Sequence, residues 1–294
     1  MYKSGFVTIV GRANVGKSTL LNNIIGEKVS IISDKPQTTR NKIQCVYTES
    51  DHQIVFLDTP GIHKPKNRLG EYMMNVSKNT LREVDVVTFM VDNSKTIGQL
   101  DEFIISQLKG INTTKILLIN KIDKLSMDEI AELILMYQKL NIFEEIIPVS
   151  ALNGTNVKEY VEVIKNLLPE GPQYFPEDMI TDRPERFIIS EIIREKTLNY
   201  LEEEVPHGIF VAIDMMNIRD DRDLIDVHAT IYCERESHKG IIIGKNGRKL
   251  KGIGKSARMD IERLLGSQVN LQLWVKVEKN WRDKANKIKY FGYE

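Results

Sequence analysis

Gly11-Arg12-Ala13-Asn14-Val15-Gly16-Lys17-Ser18 decides the reading of the first half of this chain. It follows the short apolar run Phe6-Val7-Thr8-Ile9-Val10 and opens a helix-length segment, so a G-x-x-x-x-G-K-S pattern stands between a strand and a helix. Glycines at 11 and 16 let successive backbone N–H groups turn toward phosphates, and the helix N-terminus adds partial positive charge. Lys17 supplies a point charge for the β- and γ-phosphates, and the Ser18 hydroxyl can ligate Mg²⁺. The expected contact set is therefore Gly11, Arg12, Ala13, Asn14, Val15, Gly16, Lys17, Ser18 and Thr19. On its own this stretch implies a nucleoside triphosphate and leaves the base open.

Outward from that loop, apolar and β-branched runs recur at 6–10, 54–57, 84–91, 115–119 and 146–149. The intervals are long enough for crossover helices, which predicts a mostly parallel sheet with helices on both faces. Three strand ends then narrow the ligand. Asp58-Thr59-Pro60-Gly61 offers a carboxylate for the Mg²⁺ shell through water and a Gly61 N–H for the γ-phosphate. Asn120-Lys121-Ile122-Asp123 places Asp123 where it can accept from N1–H and N2–H₂ of guanine. Adenine lacks those donors, and leaving such an acceptor unpaired costs ~10⁴-fold in selectivity. Ser150-Ala151-Leu152 can offer a backbone N–H to guanine O6, with Lys121 along the base. Each segment alone reads equally as a turn; together and in this order they specify guanine.

Gly61 is followed by Ile62, where signalling GTPases usually carry a glutamine that positions water. Isoleucine cannot bind water, so attack must be organised otherwise. His63 is nearby but reads as an ordinary loop histidine. Asn14 is the better candidate, because its side-chain oxygen can help hold a monovalent cation against the phosphates. The segment Asp34-Lys35-Pro36-Gln37-Thr38-Thr39-Arg40 lies where a threonine hydroxyl can close onto Mg²⁺ with a γ-phosphate present and release afterwards.

The second half is electrically polarised although the 294-residue chain carries 41 basic and 41 acidic residues. Residues 235–294 hold 15 Lys/Arg against 6 Asp/Glu, and residues 176–234 hold 6 against 15. Such asymmetry suggests one face for a polyanion. The proline-marked stretch 169–182 reads as a stiff, polar linker. Beyond it the pattern is α-β-β-α-α-β, with Gly244-Lys245-Asn246-Gly247 between two helical pieces. A G-x-x-G loop admits a close phosphate backbone, as in KH domains that clamp about four nucleotides. Alone it is usually a turn. Here Lys239, Lys245, Arg248, Lys249, Lys251, Lys255 and Arg258 surround it. RNA is the expected ligand, with Trp281, Tyr290 and Phe291 as candidate base stackers. Cys45 and Cys233 show no metal spacing and read as buried thiols. The start has no signal-peptide anatomy, and no apolar run approaches a membrane span of about 20 residues. A cytoplasmic location is expected.

GRANVGKS, QTTR, DTPGIHKPK, NKID and SAL, followed by HKGIIIGKNGRKLK, resemble the Era family of bacterial GTPases over essentially the whole chain. The resemblance implies an α/β P-loop GTPase domain at 1–173, a linker at 174–182 and an α+β type II KH domain at 183–294. It implies hydrolysis of GTP to GDP and phosphate, with Lys17, Thr39, Gly61 and Asn14 in catalytic roles. Thr39 is preferred to Thr38 on resemblance alone. Mg²⁺ is expected on Ser18, Thr39 and, through water, Asp58; K⁺ is expected at Asn14. RNA contacts are expected from Lys239, Gly244, Lys245, Asn246, Gly247, Arg248, Lys249 and Lys251. The family binds 16S rRNA near its 3′ end and assists small-subunit assembly, and some members associate peripherally with the inner membrane. A monomer is expected. A metabolic phosphotransferase would need a substrate-reading domain, a passive RNA binder would not need four nucleotide motifs, and a membrane-remodelling GTPase would need an amphipathic or spanning segment.

Overall fold

The computed structural model describes residues 1–33, 35, 38–62, 65–219 and 222–293. The chain divides into two compact units, one comprising residues 1–30, 39–65 and 73–182, the other 31–38, 66–72 and 183–294.

Described residues of the first unit form a six-stranded sheet in the order β2-β3-β1-β4-β5-β6. The strands are β1 (Lys3–Val10), β2 (Ile43–Glu49), β3 (His52–Asp58), β4 (Val86–Val91), β5 (Thr114–Asn120) and β6 (Glu145–Val149). All neighbours are parallel except β2, which pairs antiparallel with β3. The sequence reading has no strand at 43–49, and the reason is visible in its pattern. As an edge strand β2 carries polar residues through Gln44, Tyr47, Thr48 and Glu49 rather than a continuous apolar run.

Helices α1 (Lys17–Ile25), α2 (Arg68–Thr80), α3 (Gln99–Lys109), α4 (Met127–Gln138) and α5 (Val157–Leu167) supply the crossovers. Alternation along β4 splits the core. Val87 and Phe89 pack with Ile104 and Leu108 of α3 and with Leu133 and Tyr137 of α4. Thr88 points the other way and meets the Tyr160 hydroxyl of α5 at 2.8 Å, while Tyr160 also packs on Phe56. Helices on both faces thus follow from a period of two in fully buried strands.

Residues 169–182 are not free. Ser4 donates to the Pro169 carbonyl and Gly171 to that of Tyr2. The buried Gln53 side chain donates to the Phe175 carbonyl at 2.9 Å and accepts from the Tyr174 and Phe175 N–H groups. Val46 then donates to the Ile180 carbonyl, and Gln44 donates to the Asp182 carboxylate. The segment thus passes the starts of β1 and β3 and ends along the open edge of β2.

The second unit runs α6 (Glu185–Asn199), β7 (Phe210–Ile218), β8 (Leu224–Cys233), α7 (Glu236–Ile243), α8 (Arg248–Leu265), β9 (Gln268–Val277) and α9 (Ala285–Tyr290). β7 and β8 are antiparallel, and β8 and β9 parallel. One sheet face is buried by α6, α7 and α8 through Ile188, Ile192, Ile242, Ile253, Ala257 and Ile261 against Val227, Ala229 and Ile231. Arg194 of α6 is also buried, paired with Glu191, and donates to the Thr38 carbonyl, while Glu195 accepts the Ile32 N–H. Trp281 is fully buried and donates to the Gly208 carbonyl at 2.9 Å; Phe291 stacks on Phe210 at 4.0 Å. These two side chains are core, which corrects the expectation that they stack bases. Tyr290 remains exposed.

Candidate functional site

The phosphate loop owes its path to backbone that only certain residues tolerate. Gly16 adopts φ +113, and a Cβ there would fall 2.1 Å from the Asn120 amide. A Cβ on Gly11 would fall 2.3 Å from the Met90 carbonyl. Asn14 takes the left-handed region at φ 66, which asparagine accepts better than most residues. Lys17 bends back over the loop and donates to the Gly11 and Arg12 carbonyls at 3.3 and 3.0 Å. Burial lowers its pKa to about 8, with Asp58 opposing. Phosphate oxygens beside the desolvated amine would add to the pull of Asp58 and favour its charged form.

Asp58 sits at the end of β3 and is fully buried. Its Oδ2 accepts from Ser30 Oγ at 2.6 Å and lies 3.4 Å from both Ser18 Oγ and Thr39 Oγ1, which are 3.3 Å from each other. Its Oδ1 is buried without a hydrogen-bond partner among the described residues. Burial pushes the Asp58 carboxyl above the ordinary carboxylate range, against the pull of Ser30 and Lys17. Two hydroxyls and an under-satisfied carboxylate on one point fit a hard divalent cation with oxygen ligands. Thr38 is engaged elsewhere, donating to the Lys35 carbonyl at 2.6 Å. Ser30 belongs to this cluster too, and no local motif marks it in the sequence.

Gly61 closes over the loop, where a Cβ would stand 3.2 Å from the Ala13 nitrogen and 3.4 Å from Lys17 Nζ. Ile62 turns inward to join Val10, Met74 and Leu81, and its N–H donates to the Gly11 carbonyl at 3.3 Å. Burying such a side chain contributes roughly 1.5–3 kcal/mol. The residue that cannot hold water here instead anchors the loop. His63 lies outside the described residues. Arg12 is directed away from the loop's hollow, bonded to Asp101 and Asp92 at 2.9 Å each, so only its main chain is left for phosphate.

At the base end, Asn120 braces three segments. Its Nδ2 donates to the Val15 carbonyl at 2.7 Å and its Oδ1 accepts from Ala151 N–H at 2.9 Å. Ser150 Oγ donates to Asp123 Oδ1 at 2.6 Å, and Ser150 N–H donates to the Thr155 carbonyl. Lys121 reaches the Asn14 carbonyl at 2.9 Å. Leu152 exposes its side chain at the rim. Asn120 is therefore a positioning residue in this structure, and the Ala151 N–H is already partly engaged.

In the second unit, the Gly244–Gly247 loop joins α7 to α8. Gly244 has φ +71, and a Cβ there would fall 2.7 Å from that of Lys249. Lys245 and Asn246 project into solvent, as do Arg248 and Lys251, while Lys239 and Lys249 are half-buried. Between α8 and β9 runs a groove of about 520 Å³ lined by Leu250, Gly254, Leu271 and Leu273, with Lys251, Lys255 and Arg258 along it. The apolar floor escaped the sequence reading because its residues come from two elements separated by a turn.

Residues 6–121 match the family described as 50S ribosome-binding GTPase, and residues 204–282 match the KH domain. GTPase Era of Alkaliphilus metalliredigens (strain QYMF) is 61% identical over 293 residues, covering 100% of this chain and 99% of that protein. The chain belongs to the Era family of GTPases. GTPase Era of Clostridioides difficile (strain 630) is 62% identical over 294 residues, covering 100% of this chain and 99% of that protein. A solved Era structure in complex with MgGDPNP and nucleotides 1506-1542 of 16S ribosomal RNA matches at TM-score 0.95 and 44% identity, covering 100% and 99% of the two chains. An Aquifex aeolicus Era variant bound to GDP.AlF4- matches at TM-score 0.95 and 45% identity, covering 99% of each. The Era family thus accounts for both halves: a GTPase with a mostly parallel sheet, and a C-terminal KH domain of the type II order.

Proposed function

We propose that this chain is a GTP-hydrolysing switch that binds 16S rRNA near its 3′ end and assists small-subunit assembly. The observation that carries the reading is the whole-chain likeness to an Era bound to MgGDPNP and 16S nucleotides 1506-1542. The clustering of Ser18, Thr39 and Asp58, and the basic groove beside the Gly244–Gly247 loop, support the reading. The GTPase description of residues 6–121 names the large subunit. The 16S assignment takes precedence because it comes from a full-length relative with RNA bound.

Ser18, Thr39 and, through water, Asp58 would hold Mg²⁺, which when bound neutralises charge on the β- and γ-phosphates. Phosphate oxygens favour the charged form of Lys17, Gly61 offers its N–H to the γ-phosphate, and Asp123 reads guanine. Asn14, exposed at the loop's tip, would help hold K⁺ in place of an arginine finger. Thr39 closes onto the cation with GTP and releases after hydrolysis, weakening RNA binding; Asp34, Pro36 and Gln37 of the same stretch lie outside the described residues. A monomeric cytoplasmic protein with peripheral membrane association completes the reading. Among the described residues no helix is long and apolar enough to cross a membrane.

GTP turnover measured with and without a 16S 3′-end RNA tests the cycle. A rise with RNA is expected. Equal turnover at saturating RNA would separate the two sites and leave a GTPase that merely carries an RNA-binding domain.

A further inference from the structure

The KH sheet has a second face, and it is only half covered. Strand pairing aligns rows across it: Phe210, Tyr232 and Lys276; then Ala212, Thr230 and Trp274; then Met215, His228 and Gln272. The first row is roofed by the C-terminal aromatics, with Phe291 stacked on Phe210 and 5.2 Å from Tyr232. In the next rows Thr230 is buried, but Trp274 and Gln272 are exposed and Ala212, Met215 and His228 are half-buried. Trp274 is 44% exposed and meets the His228 ring edge-on at 5.2 Å. Tyr290, at the end of α9, is 74% exposed beside Phe291, with the Lys287 ammonium 5.6 Å from its ring centre.

The chain has two tryptophans and treats them oppositely. Trp281 is sealed in the core with its N–H bonded, whereas Trp274 leaves much of its ring in water. Charge on this face follows the same division. Asp226 is held by Arg219 at 2.6 and 2.8 Å and by Asn270 at 2.7 Å, so its carboxyl lies well below the ordinary range. Asp214 accepts from Thr230, and Glu278 is paired with Lys284 and Lys287. Asp226 and Glu278 are thus answered by cations and Asp214 by a hydroxyl, while Lys276 is exposed two residues from Trp274 on the same face.

We propose that this outer sheet face is a second RNA surface, on which unpaired bases stack against Trp274 and Tyr290 while Lys276 meets the phosphate backbone. Exposed aromatics beside cations are how single strands are held without sequence readout. The face is distinct from the groove at Gly244–Gly247. Leu271 and Leu273 line that groove, and Trp274 alternates with them to the opposite side of β9. The proposal does not depend on the groove binding RNA.

Iodide quenching of tryptophan emission in the full-length protein tests it, because the exposed Trp274 dominates the quenchable signal. The long probe is the 16S segment 1506-1542, the RNA held by the related Era. The short probe is a 3′-end oligonucleotide of about six nucleotides, little more than a KH groove holds. The long RNA should shield Trp274 from iodide. Trp274→Ala and Lys276→Glu, each verified as folded by circular dichroism, should weaken the long RNA by about tenfold and leave the short one unchanged. Trp274→Phe should recover most of the loss. Undiminished iodide quenching in the long-RNA complex, or equal affinity of both variants for it, overturns the proposal. Loss of short-oligonucleotide binding in the parent protein would instead count against the groove.

Discussion

Ser150 holds Asp123. The serine hydroxyl donates to the carboxylate at 2.6 Å across 27 residues of sequence, fixing one oxygen of the group proposed to read guanine. Asp123→Asn replaces an acceptor pair with an amide, so preference should move from guanine toward xanthine nucleotides. Ser150→Ala leaves the charge but frees its rotation, and GTP affinity should fall by about tenfold, the loss of one charge-assisted hydrogen bond. Competition of labelled GDP against GTP and XTP reads both. An Asp123→Asn protein that still rejects XTP would remove Asp123 from base recognition.

Lys17 makes proton uptake measurable. Its pKa near 8 means that at about pH 9 most of the population is neutral. Triphosphate favours the charged form, so GTP binding at that pH should take up close to one proton, and near pH 6 almost none. Calorimetry in buffers of different ionisation enthalpy counts it. Lys17→Arg is charged throughout and should show no uptake. The stability consequence has a definite sign. A lysine lowered in the folded state contributes stability above its unfolded value of 10.5, and that contribution is lost as pH falls through about 8.

Hydrolysis should be faster in potassium than in sodium, because the smaller ion fits the same oxygen cage poorly. Asn14→Ala should abolish the difference while GDP binding survives. Initial rates in matched chloride salts decide it; equal rates in the parent protein would direct attention to a group supplied by a partner.

Lys245→Asp combined with Asn246→Asp places carboxylates beside phosphates and should cut RNA affinity at least tenfold without disturbing GTP binding. A clamp on about four phosphates predicts a log–log salt slope near −3. Titrations of a labelled 3′-end oligonucleotide at several potassium concentrations supply both numbers. Gly244→Ala should fail differently, by destabilising the fold, since its Cβ would meet Lys249 in a left-handed backbone.

The nucleotide motifs were legible because each is a contiguous run whose residue types follow from phosphate and base chemistry. What the sequence hid lies between runs. Ser30 on Asp58, Ser150 on Asp123 and Asn120 between Val15 and Ala151 depend on strand ends meeting in space. Strand β2 was missed because edge position relaxes apolar patterning. The aromatic tail misled for the opposite reason: Trp281 and Phe291 look like stacking residues by type, and only their packing on Phe210 shows them to be core.

The clasp of residues 169–182 along β2 changes where the GTPase domain can be cut. Ending a fragment at the last helix, near Leu168, would strip the Ile180 carbonyl and the Asp182 carboxylate from β2 and leave the buried Gln53 amide without its three main-chain partners. A bare edge strand recruits strands from other molecules. A fragment of residues 1–168 should therefore self-associate on concentration, whereas one of residues 1–182 should stay monodisperse and melt at a higher temperature.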